Sequence, residues 1–155
     1  MTHALFSCDS DILELIGSPK CFKKKPSEPL EKNRCVLQKF EAYGMDAKTI
    51  FPVFVSYSVR MPMDFSIGLM LGGDFLLYRC NGFHGTTKAG FYTAEHHAYP
   101  HAHTLTLNDV KNGRGRNPSC ITDLTGHYID LPTARSFFFK HCGVLGYEEF
   151  FADFT

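Results

Sequence analysis

Histidines are concentrated in one short stretch of this 155-residue chain. Five of its eight histidines lie between positions 84 and 103: His84, His96, His97, His101 and His103. Imidazole changes charge near neutral pH and also ligates metals, so this density indicates acid–base chemistry or metal binding. Arg79 and Asn81 precede the stretch and add a cation and an amide. The segment 79–103 is therefore the candidate site.

The spacing is compatible with a zinc site. His101 and His103, at positions i and i+2 of a predicted strand, point to one face of a sheet. His84, from a facing loop, would complete a set of three nitrogens with an open fourth position for water. A neighbouring residue could also close the set: Glu95, His96 or His97.

The same residues are compatible with catalysis without a metal. Two imidazoles from His84, His101 and His103 would act as general base and general acid. Arg79 or Lys88 would stabilise the oxyanion, as RNA cleavage through its own 2′-hydroxyl requires. In a purely structural interpretation, by contrast, the histidines are exposed loop residues or form hydrogen bonds within the fold.

A second basic segment follows the histidines. Positions 108–119 contain Lys111, Arg114 and Arg116 among glycines and a proline, which predicts an exposed loop. Arginines spaced by glycine can follow a phosphate backbone. The predicted substrate-binding residues are Asn81, Lys88, Arg114 and Arg116; a plain solvated loop is the alternative for the last two.

The elements that must position these residues predict an α+β fold. Apolar spacing and capping residues predict helices at 9–16 and 132–142. Period-two alternation and β-branched residues predict strands, and Gly72-Gly73 predicts a hairpin. The expected architecture is an antiparallel sheet of three to five strands, packed with an N-terminal and a C-terminal helix. The expected strands are 35–40, 50–60, 65–71, 74–80 and 101–107.

Length and composition predict one domain over 1–155, with a basic, proline-containing connector at 20–31. Sixteen basic and sixteen acidic residues give a formal net charge of zero, which disfavours a histone-like or polybasic binder. The absence of a long apolar run or a leader-like start predicts a cytoplasmic protein that does not enter a membrane. The six cysteines lack a C-x-x-C pair, and we expect reduced thiols.

The order of several motifs resembles a family of small bacterial proteins of unknown function. Those motifs are Ser58-x-Arg60-x-Pro62-x-x-Phe65-Ser66-x-Gly68-Leu69, Leu77-x-Arg79-x-Asn81-Gly82-x-His84-Gly85 and Pro100-His101-x-His103. The last two also resemble small proteins encoded beside minimal nucleotidyltransferases in toxin–antitoxin loci. This resemblance implies an intracellular factor that acts on RNA or on a nucleotide-handling partner. The site it implies consists of Arg79, Asn81, His84, His101 and His103.

These observations lead to one principal hypothesis and two alternatives. The principal hypothesis is a toxin–antitoxin or phage-defence-associated protein that cleaves RNA as a phosphodiesterase, either without a cofactor or with zinc. The first alternative is a non-enzymatic inhibitor or antitoxin-like module, such as a blocker of a bacterial defence complex, that uses the basic segment 20–39 or the phenylalanine-rich end of the chain. The second is a structural zinc-binding domain. The expected partner is RNA or a cognate protein, and a homodimer is compatible with the sequence.

Overall fold

A mixed β-sheet is the framework of the protein. The computed structural model describes residues 5–84 and 94–149, and in them nine strands share one sheet. The order is β8-β7-β6-β5-β4-β3-β1-β9, with β2 paired to β3. Every pairing is antiparallel except that of β1 with β9. The strands are β1 (Lys20–Phe22), β2 (Leu30–Lys32), β3 (Cys35–Gly44), β4 (Ile50–Ser58), β5 (Phe65–Leu71), β6 (Phe75–Asn81), β7 (His101–Thr104), β8 (Cys120–Asp123) and β9 (Val144–Leu145).

The predicted sheet of three to five strands between two terminal helices is wrong. Four strands were missed, namely β1, β2, β8 and β9, and each has only two to four residues. All residues of β2 and β8 are exposed, so these strands carry no apolar alternation that a sequence pattern could reveal. The segment 20–31, predicted as a connector, contains all of β1 and the first two residues of β2.

Three short helices accompany the sheet. They are α1 (Asp9–Gly17), α2 (Leu107–Lys111) and α3 (Leu131–His141), and single 3₁₀ turns occupy Glu95–Ala98 and Tyr147–Glu149. Helix α2 lies where we predicted the end of a strand and the start of an exposed loop. Thr106 begins it, because its side chain accepts from the backbone N–H of Asp109 while the Asp109 carboxylate accepts from that of Thr106. No helix in residues 5–84 and 94–149 is long and apolar enough to cross a membrane.

The central strands separate an apolar face from a polar one. Residues on one face of β4 to β7 are buried with side chains from α1 and α3 in a single hydrophobic cluster. The opposite face carries hydroxyl, amide, guanidinium and imidazole groups. This alternation is typical of an antiparallel sheet with one face on the core. The core side includes Val53, Val55, Ile67, Leu69, Cys80, Ala102, Ile12, Ile16, Phe138 and Phe139, and the polar side includes Ser56, Ser66, Arg79, Asn81, His101 and His103.

A buried lysine joins the helices to the edge of the sheet. The ammonium of Lys20 donates to the carbonyls of Leu15 at 2.7 Å, Ile16 at 2.9 Å and Ser18 at 2.8 Å, which end α1. It also donates to the carbonyl of Cys142 at 3.0 Å, just after α3. A cation favours the carbonyl end of a helix, although burial lowers the pKa of Lys20 to about 8. One side chain thus satisfies the last carbonyls of two helices.

The substitution Lys20→Met should lower the free energy of unfolding by about 3 kcal/mol, because buried carbonyls lose a charged donor. Lys24→Met, at an exposed position in the same segment, is the matched control and should change it by less than about 0.5 kcal/mol. Urea unfolding followed by circular dichroism measures both. Equal midpoints for the two variants would contradict the anchoring role of Lys20.

Candidate functional site

The pairing of β6 with β7 brings the predicted site residues together. Arg79 lies opposite His103, and Asn81 lies opposite His101. Residues that face each other on neighbouring strands project from the same side of the sheet. The candidate site is therefore built on the polar face of these two strands, at the end where β6 leaves the sheet.

Backbone carbonyls fix the proton positions of two buried histidines. Nδ1 of His101 lies 2.8 Å from the carbonyl oxygen of Tyr99, and Nδ1 of His103 lies 3.1 Å from that of Pro118. A carbonyl only accepts, so each Nδ1 carries the hydrogen and each Nε2 presents a lone pair. Nε2 of His103 is buried and has no hydrogen-bond partner among the described residues. A carbonyl bond to one ring nitrogen, with the other left open, is typical of metal-ligating histidines.

A third histidine completes a group that could hold a metal ion. The 3₁₀ turn Glu95–Ala98 carries His96 towards β7, and one ligand nitrogen from each of His96, His101 and His103 lies within 4.8 Å of the others. The set predicted from the sequence pairs His101 and His103 with His84 instead. It includes His96 only as an alternative closing residue, because nothing in the sequence shows which loop histidine turns inwards.

His84 lies directly beside this group. Its Nε2 is 3.2 Å from Nε2 of His101 and 3.1 Å from Nδ2 of Asn81. A neutral ring nitrogen carries either one hydrogen or one lone pair, so Nε2 of His84 either accepts from the Asn81 amide or donates to Nε2 of His101. All five clustered histidines have ring contacts with one another, with centroid distances from 4.0 Å for His84–His97 to 6.3 Å for His97–His101.

Burial and Arg79 keep these imidazoles neutral. Loss of solvent contact, with smaller contributions from neighbouring charges, lowers the pKa of His84 and of His103 to about 4. Burial likewise lowers the pKa of His101. Arg79 adds a positive charge to the field of all three rings. Neutral imidazole is the form that ligates metals.

A polar pocket opens next to the histidines. It has a volume of about 440 Å³, and both Arg34 and Arg79 line it. Nε of Arg79 is buried and has no hydrogen-bond partner in the described parts of the chain. The site thus presents two guanidinium groups beside neutral imidazoles, an arrangement suited to an anion. Polar groups on neighbouring strands complete the lining, among them Ser56, Ser58, Ser66, Asn81 and His84.

A tyrosine from outside the predicted site holds its two strands together. The hydroxyl of Tyr128 contacts the carbonyl oxygens of Asn81 at 2.7 Å and His101 at 3.3 Å. Burial raises the pKa of Tyr128, so it remains a donor. Ser66 donates to Oδ1 of Asn81 at 3.2 Å and orients that amide. Sequence reasoning missed Tyr128, because no local pattern links it to residues that far away in the chain.

The arginines of the 108–119 segment form contacts within the protein. Arg114 Nη2 pairs with the buried carboxylate of Asp109 at 3.2 Å. Arg116 Nε donates to the carbonyl of Gly73 at 2.8 Å, in the turn before β6 and therefore at the far end of that strand from Asn81. The structure does not bring these two predicted substrate-binding residues to the histidines. Lys88, another predicted residue, lies outside the described residues.

No protein-family model, curated protein or solved structure matches this chain. The chemistry of the site must therefore be inferred from its own geometry.

The unfolding free energy of the metal-free protein should fall as pH drops from 6.5 to 4. His103 has a pKa of about 4 in the folded protein, against an ordinary value of 6.5 for histidine. The unfolded chain therefore binds more protons in this interval, and acid favours it. For this buried ring the loss is at most about 3 kcal/mol.

Urea unfolding of metal-stripped protein at pH 7, 5.5 and 4.5 measures this dependence. His103→Gln should make it shallower, whereas His127→Gln, at an exposed position outside the cluster, should leave it unchanged. An equal slope for wild type and His103→Gln would show that His103 is protonated as readily in the folded protein as in the unfolded chain.

Proposed function

We propose that this protein is a zinc-dependent phosphodiesterase that cleaves RNA. One observation carries the metal assignment: one ligand nitrogen from each of His96, His101 and His103 lies within 4.8 Å of the others, and backbone carbonyls hold Nδ1 of His101 and of His103 so that each Nε2 can ligate. Three nitrogen ligands and one open position are the typical set of a catalytic zinc site.

The ligand spacing agrees with zinc. Zn–N bonds of about 2.0–2.1 Å place the nitrogens of a tetrahedral site about 3.3 Å apart. The three candidate nitrogens lie within 4.8 Å of one another. Side-chain rotations that shorten these separations by about 1.5 Å would therefore bring the three nitrogens to the spacing of a tetrahedral zinc site. The surrounding carbonyl bonds already orient two of the three rings.

The alternative of two histidines acting as acid and base fits less well. General acid catalysis needs an imidazole that is protonated at the working pH. Burial lowers the pKa of both His84 and His103 to about 4, so both rings are mainly neutral at pH 7. Ligation of a metal requires the neutral ring, which is the form that these low pKa values favour.

The proposed reaction is hydrolysis of a phosphodiester. Bound zinc would supply a water of lowered pKa. In such a hydrolysis the water oxygen would bond to phosphorus while the bond from phosphorus to the leaving ribose oxygen breaks, and the proton released by the water would pass to that oxygen. Arg79, whose Nε has no partner in residues 5–84 and 94–149, would stabilise the negative charge on the phosphoryl oxygens. His84 lines the pocket and contacts His101, so it lies between the ligands and the substrate.

We propose RNA as the substrate, and a toxin–antitoxin or phage-defence setting, on the basis of two motifs. The Arg-x-Asn-Gly-x-His-Gly and Pro-His-x-His motifs resemble those of small proteins encoded in toxin–antitoxin loci. The two guanidinium groups of the pocket support a phosphate-containing substrate. They do not by themselves distinguish RNA from other phosphodiesters, so a cleavage assay should include a DNA of the same sequence.

Untagged wild-type protein should contain about one zinc per chain by elemental mass spectrometry and cleave a labelled RNA oligonucleotide. The double variant His101→Gln/His103→Gln should lose the zinc and lower the cleavage rate by more than about 100-fold. Loss of a residue that only supports a metal ligand typically costs about 10- to 100-fold. His127→Gln is the matched histidine control and should behave as wild type.

The outcomes separate the candidate functions. Absence of zinc from the wild type would overturn the metal assignment. Zinc without cleavage of RNA or DNA would overturn the hydrolase assignment. If chelation also unfolds the protein, the site is a structural zinc site, because folding then requires the metal.

Charge reversal of the basic segment tests the non-enzymatic alternative. Lys23, Lys24 and Lys25 are exposed between β1 and β2, away from the histidines in the chain. Changing all three to Glu should leave RNA cleavage within about twofold, because β1 is five strands from β7 in the sheet order and exposed charges that far apart are screened by salt. A protein-binding module would instead lose its partner, measured by affinity capture of that partner on wild-type and variant protein. Unchanged zinc content would show that the variant is folded.

A further inference from the structure

A phenylalanine ring lies flat on the polar face of the sheet beside the site. A Cβ atom added to Gly68 would come within 2.2 Å of Cε1 of Phe54, so the ring occupies the space that any other residue at 68 would fill. Phe54 is half-buried, and its outer side borders an apolar groove of about 460 Å³. Leu37, Pro52 and Met70 also line this groove. Because residue 68 is a glycine, the Phe54 ring can lie over it and remain partly accessible.

The ring is in line with the candidate catalytic residues. Phe54 pairs with Gly68, Gly68 with Arg79, and Arg79 with His103 across four neighbouring strands. Strands lie about 4.8 Å apart, so this row spans about 14 Å from Phe54 to His103. The neighbouring row contains Ser56, Ser66, Asn81 and His101, and the first three of these residues line the polar pocket.

A second arginine reaches the pocket from an unusual backbone position. Asn33 and Arg34 form the turn between β2 and β3 with φ of 53° and 64°. Asparagine and glycine tolerate this left-handed region, whereas arginine is uncommon there. Arg34 nevertheless occupies it, is exposed, and lines the same pocket as Arg79. Asp64 lines the same pocket, and burial raises the pKa of its carboxyl group.

We propose that this surface binds single-stranded RNA, with a base stacked on Phe54 and a phosphate held between Arg34 and Arg79. Aromatic rings that stack bases next to cations that follow the backbone are the general means of binding single strands. The proposal deepens the proposed function, since it names an unpaired strand as the substrate of the same site. A duplex does not fit, because its stacked bases cannot reach the ring.

Fluorescence anisotropy with an eight-nucleotide RNA tests the surface independently of cleavage. Phosphorothioate linkages slow hydrolysis of this probe, and the protein is used as purified. Phe54→Leu keeps an apolar cover over Gly68 but removes the aromatic face, and should weaken binding about 5- to 100-fold. Phe54→Tyr keeps the ring and should bind within about twofold of wild type.

Arg34→Asn tests the phosphate contact. Asparagine suits the left-handed turn, so this variant should be as stable as wild type. The slope of log affinity against log salt should become shallower by about 0.7, the value for one lost contact to a single strand. Arg60→Asn removes the same charge from an exposed residue outside the pocket lining and should leave the slope unchanged.

Three results would overturn the proposal: Phe54→Leu binding as wild type, equal effects of Arg34→Asn and Arg60→Asn, or equal affinity for an RNA duplex. Failure of the proposed function has a different signature. A wild type that does not cleave RNA, but whose binding shows the expected pattern for these variants, would contradict the phosphodiesterase and support the single-strand surface. A wild type that cleaves RNA, but whose variants do not show the expected binding pattern, would support the phosphodiesterase and contradict the single-strand surface.

Discussion

The register between β6 and β7 determines where each candidate site residue lies. A one-residue shift of β6 would turn Arg79 and Asn81 into the core, and the same shift of β7 would turn His101 and His103 into it. The apolar alternation of both strands resists that shift, because Cys80 and Ala102 are fully buried against the core. The Tyr128 hydroxyl adds a second restraint, since it contacts a carbonyl on each strand at the end that carries the site.

Support for the site comes from both sides of the sheet. On the core side, α1 and α3 pack apolar residues behind the site strands, and Lys20 fixes the ends of these helices to one another. On the polar side, the segment after α2 supplies the Pro118 carbonyl to His103. That segment is itself held by the buried carboxylate of Asp109, which accepts from the backbone and hydroxyl of Ser119. The orientation of the His103 ring, a candidate metal ligand, thus depends on the Asp109 carboxylate through Ser119 and Pro118.

The sequence contained enough information for the central strands and for two of the three metal-binding candidates. Period-two alternation located β4, the Gly72-Gly73 hairpin signal located β5 and β6, and the i, i+2 spacing placed His101 and His103 on one face. It could not locate β1, β2, β8 and β9, which are too short to show a period. The inward turn of His96 depends on a 3₁₀ turn between two extended residues, Ala94 and Tyr99. The position of the Phe54 ring depends on the absence of a side chain at Gly68. Such features arise from tertiary packing and leave no periodic signal.

The short strand β8 has a consequence for self-association. It lies at one end of the strand order in the described sheet and pairs with β7, so the histidine strand is an interior one with both backbone edges bonded. The exposed edge belongs to β8, which has four residues and ends in Asp123. Short edges with a charged residue are poor templates for strand addition, and this limits aggregation. By covering the outer edge of β7, β8 therefore keeps the histidine strand from pairing with other chains at high protein concentration.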